Sequence, residues 1–345
     1  MTTYSAVVTT GIYCRPGCAA RPLARNVRTF DLAAAAEAAG FRACQRCRPY
    51  RVTGPVGSSA PEIVCEAVQL IIDGALDDGG TETALAGRIG MSQRHLRRLF
   101  LKHLGASPDQ LARSRRAHFA RRLLDDTDLT IGEIAFASGF GSLRQFNRAM
   151  RDVFRASPSD LRDRRRRADR LAADGGLTLR LPVEPGYDWP TVHSSLAARA
   201  IPGVESASDH AYRRVITMAT EPALIEVWPG DRDCLLLRVH LPYWEGLIHL
   251  VDRVARLLAT DADHAPAPGA WNSFEAGVRD ILSADQSQLE AFVKALGIPV
   301  PGLLSGLTHA FPDQAAVTED SLASIGLPAA AAKAIVMLAD ATHAN

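Results

Sequence analysis

Hydrophobic and polar positions alternate in four short stretches of the second half of the chain, at 177–183, 212–218, 223–228 and 234–240. A period of two marks a half-buried strand, so these stretches predict an antiparallel sheet. The first half keeps a different period. Leu96, Leu99 and Phe100, and later Phe146 and Met150, recur at helical spacing and predict two inward apolar stripes, with arginines on the opposite faces. These helices belong to an internal repeat. Leu96, Arg98, Ala106-Ser107-Pro108 and Leu111 return fifty residues later as Phe146, Arg148, Ala156-Ser157-Pro158 and Leu161, while Leu85-Ala86 and Gly90 return at forty-nine as Ile134-Ala135 and Gly139. Each copy reads as a helix, a glycine-containing turn and a second helix capped by Ser92 or Ser142, which is helix-turn-helix logic. A helix near 112–124 joins the copies. Candidate linkers at 51–60, around 172–176 and at 261–269 divide the chain into units 1–52, 61–168, 177–260 and 270–345.

Charge separates the halves. The net charge is only +1, yet residues 1–170 carry 28 Lys+Arg against 17 Asp+Glu, and residues 171–345 carry 11 against 21. The front half fits a polyanion and the back half does not. Lys102 is the single lysine of the front half; arginine is the side chain that makes planar bidentate contacts to phosphates and guanine edges. With 345 residues, 47% of them hydrophobic, the chain can bury several cores.

Cys14, Cys18, Cys44 and Cys47 follow the spacing C-x3-C-x25-C-x2-C. Two short-spaced thiol pairs brought together by a loop suit tetrahedral Zn2+. Disulfides are the alternative. The start of the chain has no charged-then-apolar leader and the chain no run of about eighteen apolar residues, so a cytoplasmic protein with reduced thiols and no membrane partner is expected. Cys65 and Cys234 read as small core residues.

The stretches Thr9-Thr-Gly-Ile-Tyr-Cys-Arg-Pro-Gly-Cys18, Arg21-Pro22, Asn26-Val27 and Ala38-Ala-Gly-Phe-Arg-Ala-Cys-Gln-Arg-Cys-Arg-Pro49 resemble the N-terminal domain of the Ada adaptive-response regulators. The resemblance implies that Cys14 takes a methyl group from a methylphosphotriester in damaged DNA, and that Thr10, Arg21 and Arg42 contact the DNA backbone. Arg46 and Arg48, beside the second cysteine pair, are added as helpers; a solvated face is the alternative for each arginine. The chemistry agrees, because zinc keeps an exposed cysteine as a nucleophilic thiolate at neutral pH. Four thiolates on Zn2+ carry a formal charge of −2, and methylating one leaves −1. At ~8 Å from a phosphate and an effective dielectric of ~20, that change favours DNA by ~2 kcal/mol. Only thirteen residues precede Cys14, fewer than the family usually carries, so a trimmed domain or a misassigned start is expected.

Leu129-Thr-Ile-Gly-Glu-Ile-Ala-Phe-Ala-Ser-Gly-Phe140, with the helix that follows at 142–154, resembles the DNA-binding domain of the AraC family. On that reading the recognition helices are 92–101 and 142–153, entering successive major grooves about 34 Å apart. Gln93, Arg94, Arg97, Leu143, Arg144 and Asn147 are the base-edge candidates. Leu96, Leu99, Phe100, Phe146 and Met150 are core. Arg164 to Arg167 form either a phosphate clamp or a solvated helix end.

Gly186-Tyr-Asp-Trp189, Leu196-Ala-Ala-Arg-Ala200, Ile201-Pro-Gly-Val-Glu205 and Tyr212-Arg213-Arg214, together with the alternating stretches, resemble the N-terminal domain of AlkA-type alkyladenine DNA glycosylases. The likeness continues more weakly through 274–282, 307–312, 325–328 and 332–339. The family's Gly-x-Gly hairpin and catalytic aspartate have no counterpart in these residues, and Ala284-Asp-Gln-Ser287 departs from its strand-inserting turn, so an inactive glycosylase remnant is expected. No Pro-Cys-His-Arg segment of the O6-alkylguanine transferases occurs either. The expected fold is multidomain α+β: a small zinc domain, an all-α double helix-turn-helix and an α+β AlkA-like domain with a truncated helical region. The expected function is a self-methylating sensor of alkylation damage that activates transcription, with double-stranded DNA and RNA polymerase as partners and no cofactor besides Zn2+. The alternatives are a DNA glycosylase and a zinc-stabilised AraC-type regulator without methyl transfer.

Overall fold

The computed structural model describes residues 3–20, 22–51, 60–77, 79–171, 176–219, 221–231, 233–260, 269–283, 286–300 and 306–343. Arg21, most of the three expected linkers, and Ala284 with Asp285 of the departing turn lie outside the described residues.

The zinc unit is a four-stranded sheet. Strands β1 (Tyr4–Val7), β2 (Ile12–Cys14), β3 (Val27–Phe30) and β4 (Arg42–Ala43) stand in the order β3-β1-β2-β4, with helix α1 (Ala33–Ala38) packed beside them. β1 pairs antiparallel with β2 and β3, whereas β2 and β4 run parallel with Tyr13 opposite Ala43. That register delivers Cys14 and Cys44 side by side, at the ends of adjacent strands.

The repeat forms two helix-turn-helix units. Helices α2 (Glu62–Ile72), α3 (Glu82–Arg88) and α4 (Gln93–Leu104) make the first; α6 (Ile131–Ala137), α7 (Leu143–Phe154) and α8 (Pro158–Asp163) make the second, and α5 (Pro108–Asp126) joins them. The caps repeat as the sequence does. Thr81 and Thr130 cap α3 and α6, Ser92 and Ser142 cap α4 and α7, and Ser107-Pro108 and Ser157-Pro158 open capping boxes on α5 and α8. Unlike the amphipathic helices around it, α5 is buried on several faces, from Leu111 through Phe119 to Leu123, Leu124, Asp125 and Asp126. It packs against α1, α2, the three helices of the second helix-turn-helix and the first strand of the sheet that follows.

The sheet expected from the alternating stretches is present with one addition. Strands β5 (Leu177–Pro182), β6 (Glu205–Ser208), β7 (Ala211–Met218), β8 (Glu221–Pro229) and β9 (Cys234–His240) pair antiparallel in the order β5-β9-β8-β7-β6. The short β6, with Ser206 and Ser208, carries too little alternation to be read from sequence. Helix α9 (Trp189–Arg199) follows β5, and α10 (Leu247–Leu257) follows β9. The C-terminal region holds α11 (Ser273–Ile281), α12 (Gln286–Leu296), a small pair β10 (Ile298–Pro299) and β11 (His309–Ala310), α13 (Glu319–Ala323) and α14 (Ala329–His343). A buried charge cluster fastens it to the sheet. Arg214, 1% exposed, pairs with Glu205 at 2.6 Å and with Glu275 of α11, while Arg279 reaches Glu205 at 2.7 Å.

One hydrophobic core crosses the expected unit boundaries. It runs from Tyr13, Phe41 and Tyr50 through Phe119, Leu123 and Phe154 to Leu181, Leu237 and Val254. A second core, around Phe100, joins the first helix-turn-helix to Leu32, Ala34 and Ala35 of the zinc unit, and a third, around Phe292, joins the C-terminal region to Ile201 and Val204.

Candidate zinc and nucleic-acid site

The four expected ligands come together. The Sγ atoms of Cys14, Cys18, Cys44 and Cys47 all lie within 4.8 Å of one another. A tetrahedron with Zn–S bonds of about 2.3 Å has edges of about 3.8 Å, so a small adjustment closes the set on one ion. The local chain makes this arrangement. β2 supplies Cys14, and a turn through Gly17 at φ +73° brings Cys18 back. On the other side Cys44 N–H donates to the Tyr13 carbonyl at 3.0 Å, and Arg48 N–H closes the Cys44 turn at 3.0 Å. Four thiols this close crowd one another. Burial, then the neighbouring Cys44 and Cys47, push the Cys14 thiol far up, and burial leads in raising Cys47 to about 12, whereas at Cys44 backbone N–H groups of Cys47 and Arg46 overcome burial and lower it. A dication is the partner that lets all four ionise.

Cys14 is not the open nucleophile expected. It is 7% exposed, while Cys18, Cys44 and Cys47 are half-buried. Cys14 lies opposite Ser5 of β1 at the end of its strand, with the other three cysteines gathered on it. Thr10 is exposed on the β1–β2 turn, and Arg42 N–H donates to Gly11 O at 2.8 Å, so the register places Thr10 and Arg42 near each other beside Cys14's strand. Arg46 is exposed.

Arg48 departs from the expected DNA-facing role. Its guanidinium lies 2.7 Å from Asp169 and 3.7 Å from Asp125, and its side chain is 11% exposed. The backbone there takes φ +49°, a conformation uncommon for a non-glycine residue. Arg51 follows it, reaching Asp125 and Asp126 at 3.2 Å each, and Tyr50 Oη donates to Asp125 at 3.0 Å. From the other side Arg180 of β5 reaches Asp126 through Nη1 at 2.7 Å and its backbone N–H at 3.2 Å. Two adjacent carboxylates at the end of α5 thus receive arginines from the zinc unit and from the AlkA-like sheet. Sequence reasoning passed over them. The signal was available, because a buried Asp-Asp pair at a helix C-terminus opposes the helix dipole and needs cationic partners. A second tie was also missed. Tyr13 Oη donates to Glu37 at 2.6 Å, and His118 of α5 lies 2.7 Å from the same carboxylate oxygen.

The base-edge candidates all lie on α4 and α7. Arg94, Arg97, Arg144 and Leu143 are exposed. Gln93 is held by Thr83 and Glu82 at 3.0 and 3.3 Å, and Asn147 Nδ2 donates to the Leu143 carbonyl at 2.8 Å, so both amides have partners within the protein. Leu96, Phe100, Phe146 and Met150 are buried and Leu99 is half-buried. The arginine run divides: Arg165 turns in to Asp128 at 2.7 Å, Arg164 and Arg166 are exposed, and the Arg167 side chain is outside the described set. Cys65 and Cys234 are half-buried rather than core. No helix among the described residues is long and apolar enough to cross a membrane.

Residues 2–50 match the metal binding domain of Ada, residues 85–164 a helix-turn-helix domain and residues 178–305 the AlkA N-terminal domain. The four-cysteine cluster is accordingly a Zn2+ site. The chain is 32% identical over 144 residues to the bifunctional transcriptional activator/DNA repair enzyme AdaA of Bacillus subtilis, covering 41% of this chain and 66% of that protein. It is 38% identical over 120 residues to the bifunctional transcriptional activator/DNA repair enzyme Ada of Escherichia coli, covering 34% of this chain and 32% of that protein. Across 364 aligned residues it is 36% identical to the probable bifunctional transcriptional activator/DNA repair enzyme AlkA of Mycobacterium tuberculosis, covering 96% of this chain and 73% of that protein. With a zinc unit, a double helix-turn-helix and an AlkA-like sheet in the same order, the chain belongs to the family of these bifunctional transcriptional activator/DNA repair enzymes.

Proposed function

We propose that Cys14 removes the methyl group from a DNA methylphosphotriester, and that the methylated chain then binds promoter DNA through α4 and α7, recruits RNA polymerase and activates alkylation-response genes in the cytoplasm. The observation that carries this reading is the closure of four cysteine sulfurs within 4.8 Å in a unit matching the metal binding domain of Ada. Zinc, when bound, supplies charge that keeps the cysteines ionised without removing their nucleophilicity. The Cys14 sulfur lone pair forms an S–C bond to the methyl carbon; the C–O ester bond breaks, and its electron pair leaves on the phosphate oxygen. DNA regains an ordinary phosphodiester anion. The thioether is stable, so each chain reacts once. Thr10, Arg21, Arg42 and Arg46 hold the backbone, and Arg94, Arg97, Leu143 and Arg144 read bases, with Gln93 and Asn147 joining after giving up their internal bonds.

For the AlkA-like half of these 345 residues we propose a supporting role without base excision, resting on the Arg180–Asp126 tie to α5. Mass spectrometry after incubation with methylphosphotriester DNA is the test. One addition of about 14 Da on the Cys14 peptide is expected for a thioether. No addition leaves a zinc-stabilised regulator, and released 3-methyladenine restores the glycosylase reading.

A further inference from the structure

The two recognition helices are rooted in different cores. Leu96 and Phe100 of α4 belong to the core around Phe100, whereas Phe146 and Val153 of α7 belong to the core that runs from Tyr13 to Val254. Helix α5 serves both, giving Leu111 and Ala112 to one and Phe119, Leu123 and Leu124 to the other. Between the two helix-turn-helix units lies a cleft of about 710 Å3, with Leu76 and Gly79 on one side, Gly139 and Phe140 on the other and Arg116 of α5 between them. Apolar packing therefore fixes each unit to α5 rather than to the other.

Asp77 ties the two sides together. It follows α2 in the first unit, and its carboxylate pairs with Arg116 of α5. A Cβ placed on Gly139, in the α6–α7 turn of the second unit, would lie 2.6 Å from Asp77 Oδ2, and Gly139 takes φ +78°, so both the close approach and the backbone there require glycine. The next partner comes from the AlkA-like unit. His249 of α10 places Nε2 2.7 Å from Asp77 Oδ2 and donates from Nδ1 to the carbonyl of Ile72, the last residue of α2, at 2.9 Å. Arg256 of the same helix reaches Asp73 at 2.8 Å, and Asp252 pairs with Arg115 of α5. Through Leu250, Val251 and Val254, α10 stands on the core that carries α7, while the α2 it holds shares its core with α4.

We infer that α10, acting through His249 and Asp77, is a strut that fixes the separation and angle of α4 and α7, so that the AlkA-like unit makes the chain selective for the spacing of the two DNA segments those helices read. The inference rests on the proposed reading that α4 and α7 engage one duplex. His249 and Asp77 are positioning residues, which act on DNA through the helices they hold. One base pair inserted between the segments moves the second by about 3.4 Å and turns it by about 36°, so firmly joined helices reject a wrong spacing and loosely joined ones follow it.

The test uses the full chain. Wild type selects a duplex from a random-sequence pool, footprinting maps the two protected segments, and one base pair is added to or removed from the stretch between them. Wild type is expected to bind the altered duplexes about tenfold more weakly than the parent. His249→Ala, and Asp77→Asn, which keeps the shape of the side chain, are each expected to lower that ratio to about threefold or less, whereas Arg213→Ala, which removes the Arg213–Glu226 pair of the sheet at 2.9 Å, leaves it unchanged. A ratio held at the wild-type value in His249→Ala and Asp77→Asn overturns the strut. The second readout needs no DNA. Spin labels on non-natural amino acids at the exposed positions of Arg98 and Arg148, equivalent in the two repeats, report the distribution of α4–α7 distances, which is expected to broaden in both variants. An unchanged distribution also overturns the strut. A broadened distribution together with a wild-type footprint of one segment keeps the strut and defeats instead the reading in which both helices engage one duplex.

Discussion

Replacing Asp125 with alanine tests whether the carboxylate pair at the end of α5 holds the units together. Asp125 is fully buried, and Arg121, 5% exposed, lies 2.7 Å from it. Among the described residues, alanine leaves the Arg121 charge in the core with the face of the Tyr50 ring, 5.4 Å from its guanidinium, as partner. Breaking a buried pair from one side costs about 3–5 kcal/mol. Tyr50 also loses its acceptor, which adds about 1 kcal/mol. Arg51 keeps Asp126 and Arg48 keeps Asp169, so their share is small. The expected loss is therefore about 5 kcal/mol, a large part of a typical stability of about 5–15 kcal/mol. In urea, with a slope of about 2 kcal/mol/M, the midpoint falls by about 2.5 M. Asp125→Asn retains the shape and an acceptor for Tyr50, and about half that loss is expected. Losses below about 1 kcal/mol for both variants would refute the reasoning, because they place Arg121 in solvent-like surroundings.

Cys18→Ala and Cys44→Ala are each expected to abolish stoichiometric zinc and unfold residues 3–51, measured by metal analysis and loss of exchange protection, since a unit this small depends on its metal. Arg97→Ala and Arg144→Ala are each expected to cost about 1–3 kcal/mol on specific promoter DNA and to relax base preference, whereas Asn147→Ala costs less because its amide is already bonded to Leu143; a uniform loss across unrelated sequences would make the arginines phosphate contacts. His249 of α10 sits between Asp77 at 2.7 Å and the Ile72 carbonyl at 2.9 Å, with Arg116 also on Asp77 and Asp252 nearby on its own helix. Burial opposes its charge, but Asp77 and Ile72 prevail and raise its pKa above 6.5. Its contribution to stability is then full below that value and lost as pH rises through the raised pKa. The melting-temperature gap between wild type and His249→Gln is expected to shrink on going from about pH 6 to about pH 9, and a gap independent of pH refutes the pairing.

Removing residues 177–345 bears on the whole reading. Sequence reasoning expects methyl acceptance to survive, because every residue assigned to that chemistry precedes residue 50. The structure adds a cost. The truncated chain loses Arg180 from Asp126, a carboxylate 2% exposed that then keeps Arg51 and the nearby Arg122. Methyl acceptance with lowered stability is expected, and unchanged stability would show that the AlkA-like unit supports nothing in the front half.

What the sequence determined by itself is everything that repeats or pairs over short distances. The ligand spacing of Cys14, Cys18, Cys44 and Cys47, the fifty-residue repeat with Ser92 and Ser142 as caps, and the alternation that becomes β5, β7, β8 and β9 are local patterns, because hydrogen bonding and side-chain period act between near neighbours. Tertiary structure alone decided where those pieces touch. Asp125 meets Arg51 across seventy-four residues and Asp126 meets Arg180 across fifty-four, and neither contact has a periodic trace in the chain. The inward turn of Arg48 and the burial of Cys14 have the same origin. An arginine beside a cysteine pair reads as a surface charge until the fold brings carboxylates to it, and a thiol at a strand end reads as open until the other cysteines are folded against it. Burial is a property of packing, and packing is set by long-range partners that no single stretch of sequence names.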